Sequence, residues 1–298
     1  MIETRDSFLK YRQGQETAIN NDGLNDSKLT GVITVEINIT DLCNRKCVFC
    51  PRVDPKVYPN RNVFISEIIL EEIINQLTEL NYRAKISLSG FGEPLLNKDI
   101  VKIVSKLDNI HEDVIVETNT NGDKLTAGLL ADLIDAGIKG LYWNLYDGEH
   151  QIDQASSIIE KVEKASEIVR LRPHWPGFSS DKFSLFLNNR GGALLDVNKD
   201  YISTQSLPLK RSCNYPFYKL FIDWNGDVLS CSNDWMRKSV IGNISHEKLD
   251  VIWHSSKQTD LRKKLLDKNR CSELCQSCDI DGGLFGSKSV EIFKQKYA

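Results

Sequence analysis

Short β-branched runs alternate with amphipathic ones along most of this chain, and that alternation confines it to a parallel β-α architecture. Residues 33–39, 85–89, 114–117, 140–145 and 183–187 read as strands. Between them, 66–80, 98–107, 125–136 (closed by Gly137) and 154–169 carry apolar residues three and four apart and read as helices. Such an order wraps with right-handed crossovers into a partial (β/α) barrel of five or six parallel strands, an α/β fold. Pro173-His174-Trp175-Pro176-Gly177 interrupts the pattern before the fifth predicted strand. Past about residue 205 the character changes. Residues 218–222 and 228–230 suit a hairpin across Asn225-Gly226, followed by a helix around 246–253 and a charged helix around 261–267. The expected organisation is a polar extension over 1–30, an α/β domain over 31–205 and a small hairpin-plus-helix domain over 206–298.

Sites on folds of this kind gather at the carboxyl ends of the strands. Cys43, Cys47 and Cys50 stand there, just past the first strand, as Cys-x-x-x-Cys-x-x-Cys. Three thiolates so spaced can take three corners of a cubane [4Fe–4S] cluster, whereas electron-carrying clusters take four cysteines. The next cysteine is Cys213, which leaves one iron open to a small molecule. Tetrahedral zinc is the alternative, and it usually wants four ligands from paired Cys-x-x-Cys knuckles. The N-terminus lacks a secretory apolar core, so the eight cysteines point to metal chemistry in a reducing cytosol rather than to disulfides. A net charge of −3 without a basic run offers nucleic acid no footprint, and no apolar stretch has the length of a membrane span.

With Phe49 at its aromatic place, the triad resembles the Cys-x-x-x-Cys-x-aromatic-Cys motif of the radical S-adenosylmethionine (SAM) superfamily. The resemblance implies a [4Fe–4S] cluster on Cys43, Cys47 and Cys50 whose open iron is chelated by SAM. Reductive cleavage of SAM then gives a 5′-deoxyadenosyl radical that removes a hydrogen atom from substrate. Ser89-Gly90-Phe91-Gly92-Glu93-Pro94 looks like the family's Gly-Gly-Glu-Pro turn, with Phe91 in place of its first glycine. It implies close backbone approach to SAM at Gly90 and Gly92, with Glu93 adding charge or bracing the loop and Pro94 holding it extended. Asn119, in a Thr-Asn-Gly-like turn, and Asn144, where the family often has a ribose-contacting serine, are further SAM candidates. Asn188 and Arg190 lie near the family's adenine- or substrate-facing positions. Ordinary polar turns and a solvated loop are the alternatives for these residues.

Cys213, Cys231, Cys271, Cys275 and Cys278, with Asn225-Gly226-Asp227 and Ile241-Gly242-Asn243-Ile244 among them, resemble the SPASM/twitch extension of radical SAM proteins. Five cysteines fit the shortened twitch form, which implies one auxiliary [4Fe–4S] cluster on Cys213, Cys231, Cys275 and Cys278; structural zinc is the competing use. Cys271 is then left over, as an inert thiol, a replacement ligand, or a hydrogen-atom donor that quenches a substrate radical.

Over about residues 31–280 the abbreviated barrel and single auxiliary cluster resemble the twitch-bearing dehydrogenase type of butirosin biosynthesis. That implies oxidation of a secondary alcohol on a sugar or cyclitol, with Arg190 clamping substrate or stabilising a ketyl oxygen. His174 is an acid–base candidate, although its place beside two prolines reads as surface. Radical epimerisation through Cys271, peptide modification, and a non-enzymatic iron–sulfur carrier are the other readings. The 42 residues before Cys43 are too few for a leader-peptide-binding winged helix. A flavodoxin or ferredoxin is the implied reductant.

Overall fold

The computed structural model describes residues 28–174, 188–194 and 206–297. Its strands are β1 (Thr34–Ile37), β2 (Lys85–Leu88), β3 (Ile115–Thr120), β4 (Gly140–Leu145), β5 (Val169–Pro173), β6 (Lys219–Ile222), β7 (Asp227–Leu229) and β8 (Val240–Asn243). They form one eight-stranded sheet in the order β5-β4-β3-β2-β1-β6-β7-β8. Pairing is parallel from β5 to β6 and antiparallel through β6-β7-β8. β6 thus does two things. It extends the parallel core beside β1, with Thr34 opposite Lys219, and it opens the hairpin that turns at Gly226. The sequence pattern shows the hairpin but not β8, whose Gly-Asn half carries no strand signal.

Helices α1 (Glu67–Glu79), α2 (Ile100–Asp108), α3 (Ala127–Asp135) and α4 (His150–Ile159) make the crossovers. Ser66 and Thr126 cap α1 and α3 by accepting from the backbone N–H three residues on. The helix expected over 154–169 is instead two. α4 ends at Ile159, Lys164 is left-handed at φ 62°, and the one-turn α5 (Ala165–Ile168) leads into β5. Val169-Arg170-Leu171-Arg172-Pro173 alternates buried and half-buried residues, the period of a strand, and pairs with β4 from Leu141 to Leu145. Pro173 therefore closes a strand rather than standing in an interruption ahead of one. The segment 183–187, expected as the fifth strand, lies outside the described residues.

The C-terminal part adds α6 (Tyr215–Tyr218), α7 (Leu249–Trp253), α8 (Ser256–Leu266) and α9 (Ser287–Tyr297). Val290 and Phe293 of α9 pack on Phe217, Leu261 and Leu265. Residues 28–31 dock here as well: Ser289 Oγ donates to the Gly31 carbonyl at 2.7 Å, and Trp253 Nε1 to that of Thr30 at 2.9 Å.

Strand periodicity divides the parallel sheet into two chemically opposite faces. Val35, Ile37, Ile86, Leu88, Val116, Leu141 and Leu171 join Ile73, Leu77, Ile103, Val104, Leu130 and Leu133 of the helices in one core. The alternate positions Glu36, Ser87, Asn119, Asn144, Arg172 and Lys219 line an internal cavity. The interior is thus polar, unlike the branched apolar layers that fill a closed (β/α) barrel. Among the described residues no helix is long and apolar enough to cross a membrane.

Candidate active site

The loop after β1 brings Cys43, Cys47 and Cys50 to the wall of a cavity of about 480 Å³, a size usual for small-molecule sites. Phe49, Gly90, Gly92, Glu93, Asn119, Asn144, Asn188 and Arg190, all singled out from the sequence, line the same cavity. Three polar clamps hold the loop. The Asn60 side chain accepts the Cys43 N–H and donates to the Cys43 carbonyl, each at 2.9 Å. Buried Arg52 donates to the carbonyls of Asp41 and Phe91 and, at 2.8 Å, to Asn60 Oδ1. Arg45 forks onto two carboxylates at once, Asp123 after β3 and Asp147 after β4, through four bonds of 2.5–2.8 Å. Sequence reasoning misses Arg45, Arg52, Asn60, Asp123 and Asp147. Their pairing spans up to about a hundred residues, so only the fold reveals it; a charged residue at the tip of each strand is the one local hint.

The glycine turn after β2 owes its glycines to the protein as much as to any ligand. A Cβ on Gly92 would stand 2.1 Å from the Thr40 carbonyl oxygen, and one on Gly90 (φ 143°) would stand 2.8 Å from Asn38 Cβ. Both contacts press the turn against the segment that leads to Cys43. The N–H groups of Phe91 and Gly92 donate to Asn38 Oδ1 at 2.9 and 3.3 Å, and that of Glu93 to the Leu42 carbonyl at 2.8 Å. Glu93 is buried and accepts from Thr120 Oγ1 (2.6 Å), Asn121 N (2.8 Å) and Leu95 N (3.1 Å). It therefore ties the turn to the end of β3, and burial pushes its carboxyl up to about 7. Phe91 fills a space between the turn and the C-terminal part, its ring 4.8 Å from Phe221 and 4.7 Å from Trp235.

On the opposite wall Asn119 Oδ1 accepts from Arg172 Nη1 at 3.1 Å. Asn144 donates to the Thr120 carbonyl at 3.1 Å, and its Oδ1 lies 3.0 Å from His174 Nε2. Phe49 packs 5.1 Å from Tyr146 and stacks on His174 at 6.5 Å. The surface position expected for His174 is thus corrected: the residue follows β5 directly and lines the cavity. Burial, with the charges of Arg172 and Arg190, holds its pKa well below the ordinary value, so the ring is neutral at pH 7. Arg190 Nε donates to the Phe49 carbonyl at 3.3 Å, and the Arg190 N–H to Asn188 Oδ1 at 3.0 Å.

Cys213, Cys231, Cys275 and Cys278 meet at a second, smaller cavity. The chain closes tightly there, since a Cβ on Gly282 (φ 78°) would stand 2.3 Å from Cys213 Sγ. Burial raises all four thiols, Cys213 to about 11 and Cys278 to about 12. The first triad is raised the same way, Cys47 to about 12. Sulfur-only sets of three and of four, whose mutual repulsion a metal would relieve, fit an open and a closed [4Fe–4S] cluster. Among the described residues no three His, Cys, Asp or Glu groups close on a single ion; each thiol set rings a cavity instead. Cys271 is exposed and lines neither cavity. That position corrects its reading as a hydrogen-atom donor to a substrate radical, because an exposed thiol outside the cavity does not face one.

The radical SAM superfamily model matches residues 37–171, and the SPASM iron–sulfur cluster-binding domain matches residues 213–279. The chain is 30% identical over 254 residues to the S-adenosyl-L-methionine-dependent 2-deoxy-scyllo-inosamine dehydrogenase of Niallia circulans, covering 85% of this chain and 94% of that one. It is also 33% identical over 290 residues to a GTP 3′,8-cyclase of Psychromonas ingrahamii, covering 87% and 78%. Among solved structures, BtrN in complex with AdoMet and 2-DOIA superposes with a TM-score of 0.71 at 27% identity, over 86% of this chain and 96% of that one.

Proposed function

Because the chain belongs to the radical SAM superfamily and carries a C-terminal SPASM iron–sulfur domain, the protein is an enzyme of that class, and we propose that it dehydrogenates a secondary alcohol of a cyclitol. The division near Ser206 then separates the SAM-binding unit from the auxiliary-cluster unit, although both contribute to one sheet. Cys43, Cys47 and Cys50 would hold the first cluster, and Cys213, Cys231, Cys275 and Cys278 the second. When bound, these clusters and SAM supply a 5′-deoxyadenosyl radical and an acceptor for one electron.

The chain's own groups do the rest. Asn38, Glu93 and the glycine turn hold the SAM face of the cavity against the cluster loop, while Asn119 and Asn144 present amides from β3 and β4. Oxidation of a carbinol removes a hydrogen atom, a proton and an electron. His174, neutral and tethered through Asn144, would take the hydroxyl proton. Arg190, which lines the cavity, would hold the carbinol oxygen and stabilise the negative charge that develops on it. A flavodoxin or ferredoxin in a reducing cytoplasm would supply the priming electron.

The observation that carries the cyclitol reading over a nucleotide one is charge balance. Of the five cations that line the cavity among the described residues, Arg45 pairs with Asp123 and Asp147, Arg52 with Asp41 and Lys219 with Glu36, while Arg172 donates to the Asn119 amide and Arg190 to the Phe49 carbonyl. A triphosphate calls for several cations without carboxylate partners, whereas a neutral polyol suits a wall of paired charges and amides. The test is anaerobic turnover of the reconstituted protein with SAM, a reductant and a cyclitol deuterated at the carbinol carbon. Deuterium should appear in 5′-deoxyadenosine, one equivalent per ketone formed. Unlabelled 5′-deoxyadenosine, or consumption of GTP in place of the cyclitol, would overturn the reading.

A further inference from the structure

Beneath the glycine turn, four side chains from three neighbouring strands form a continuous polar row on the cavity wall. Ser87 and Ser89 hydroxyls stand 3.1 Å apart, Ser89 Oγ donates to Glu36 Oε1 at 3.1 Å, and Lys219 Nζ donates to Glu36 Oε2 at 2.6 Å. Sheet register fixes the row, since β1 lies between β2 and β6, with Glu36 opposite Ser87 and Thr34 opposite Lys219. The side chains of Glu36 and Lys219 keep 10% and 15% of their surface exposed, and both residues line the cavity that the first cysteine triad also lines. A charge pair this deep costs desolvation that apolar residues would avoid. Tyr215 and Tyr218 line the cavity nearby, with the Tyr215 ring 5.5 Å from Lys219 Nζ.

We propose that Glu36 and Lys219, extended by Ser89 and Ser87, are the specificity-determining floor of the site and read a ring hydroxyl of the substrate. This rests on the cyclitol reading and adds the group that is recognised. A hydroxyl donates and accepts, so it can give its proton to Glu36 and take one from Lys219, and the neighbouring hydroxyl of a vicinal pair reaches the serines. An ammonium cannot accept from Lys219 and is repelled by it, so an amine on the substrate points elsewhere. A carboxylate or phosphate in the same place meets Glu36. The row therefore selects a neutral vicinal diol edge.

The test compares the parent cyclitol with its monodeoxy analogues on the holoprotein, both by calorimetric titration in the presence of SAM and by KM. The wild type should bind at least one monodeoxy analogue about tenfold or more weakly than the parent, as expected for a lost hydrogen bond to a charged group. Glu36→Gln should raise KM for the parent by a similar factor, with a smaller change in kcat, and bring the parent-to-analogue ratio to within about twofold. The double variant Glu36→Gln/Lys219→Met, which leaves no unpaired charge, should show the same collapse and guards against misfolding of the single variant. A purely structural role would weaken parent and analogue alike and preserve their ratio, and that result would overturn the proposal. Failure of the wild type to turn over any cyclitol would instead overturn the functional reading on which it rests.

Discussion

Arg45 sits inside the cysteine triad and holds the cluster loop to the rest of the site, so its removal should be felt at the cluster. Arg45→Met deletes four charge-assisted hydrogen bonds at once. The carboxylates left behind are not stranded: Asp123 keeps Asn44 Nδ2 at 2.6 Å, and Asp147 keeps Gln151 Nε2 at 3.1 Å. The cost is therefore that of the bonds and not of buried unpaired charge. Two forked pairs would give about 3–4 kcal/mol if fully sheltered. The Arg45 side chain is 18% exposed and that of Asp147 49%, so solvent screening brings the sum to about 2 kcal/mol. If that loss falls on docking of the loop, the open form becomes about thirtyfold more populated. The assay is the rate at which the reconstituted protein loses its first cluster to a chelator under anaerobic conditions. Arg45→Met should lose it about thirtyfold faster, and Arg45→Lys should recover little because an ammonium cannot fork onto two carboxylates. A wild-type rate of loss, or additivity with Asp123→Asn in a double-mutant cycle, would refute the argument.

Glu93 gives a pH signature. Its folded carboxyl, at about 7 against an ordinary 4.5, keeps a proton that the unfolded chain has lost, so stability falls as pH rises from 4.5 to 7, by roughly 3 kcal/mol at most. Glu93→Gln should flatten that slope in denaturant titrations; an unchanged slope would show that the carboxyl is ionised throughout. Gly92→Ala should lower stability by about 2 kcal/mol or more, because its methyl meets the Thr40 carbonyl, and should weaken SAM binding in an equilibrium titration. Cys271→Ser should leave iron content and the cluster absorption at wild-type levels, and loss of one cluster would restore this thiol as a ligand.

Much of the site is written locally. The triad, the glycine turn and the two asparagine tips each end or follow a strand, and a parallel α/β order sends those ends to one rim, so residues from Cys43 to Arg190 could be grouped before any coordinates. The error over 154–169 was also local in origin. Residues 154–169 contain no glycine or proline, so nothing local marks the end of α4 at Ile159, the left-handed Lys164, or the passage from α5 into the alternating Val169-Arg170-Leu171-Arg172. His174 hides its place for a related reason: flanking prolines suggest a surface turn, whereas β5 ends at Pro173 and sets His174 on the cavity.

The chain alone thus determines the period of each element, the sulfur donors and the order in which they arrive. Tertiary structure decides which charges meet. Arg45 with Asp123 and Asp147, Glu36 with Lys219, and the burial that lifts Glu93 and lowers His174 all join segments far apart in sequence. Strand order and register set these meetings. Electrostatic energy depends on separation and on the surrounding dielectric, and neither quantity exists until the strands have paired and walled the cavity.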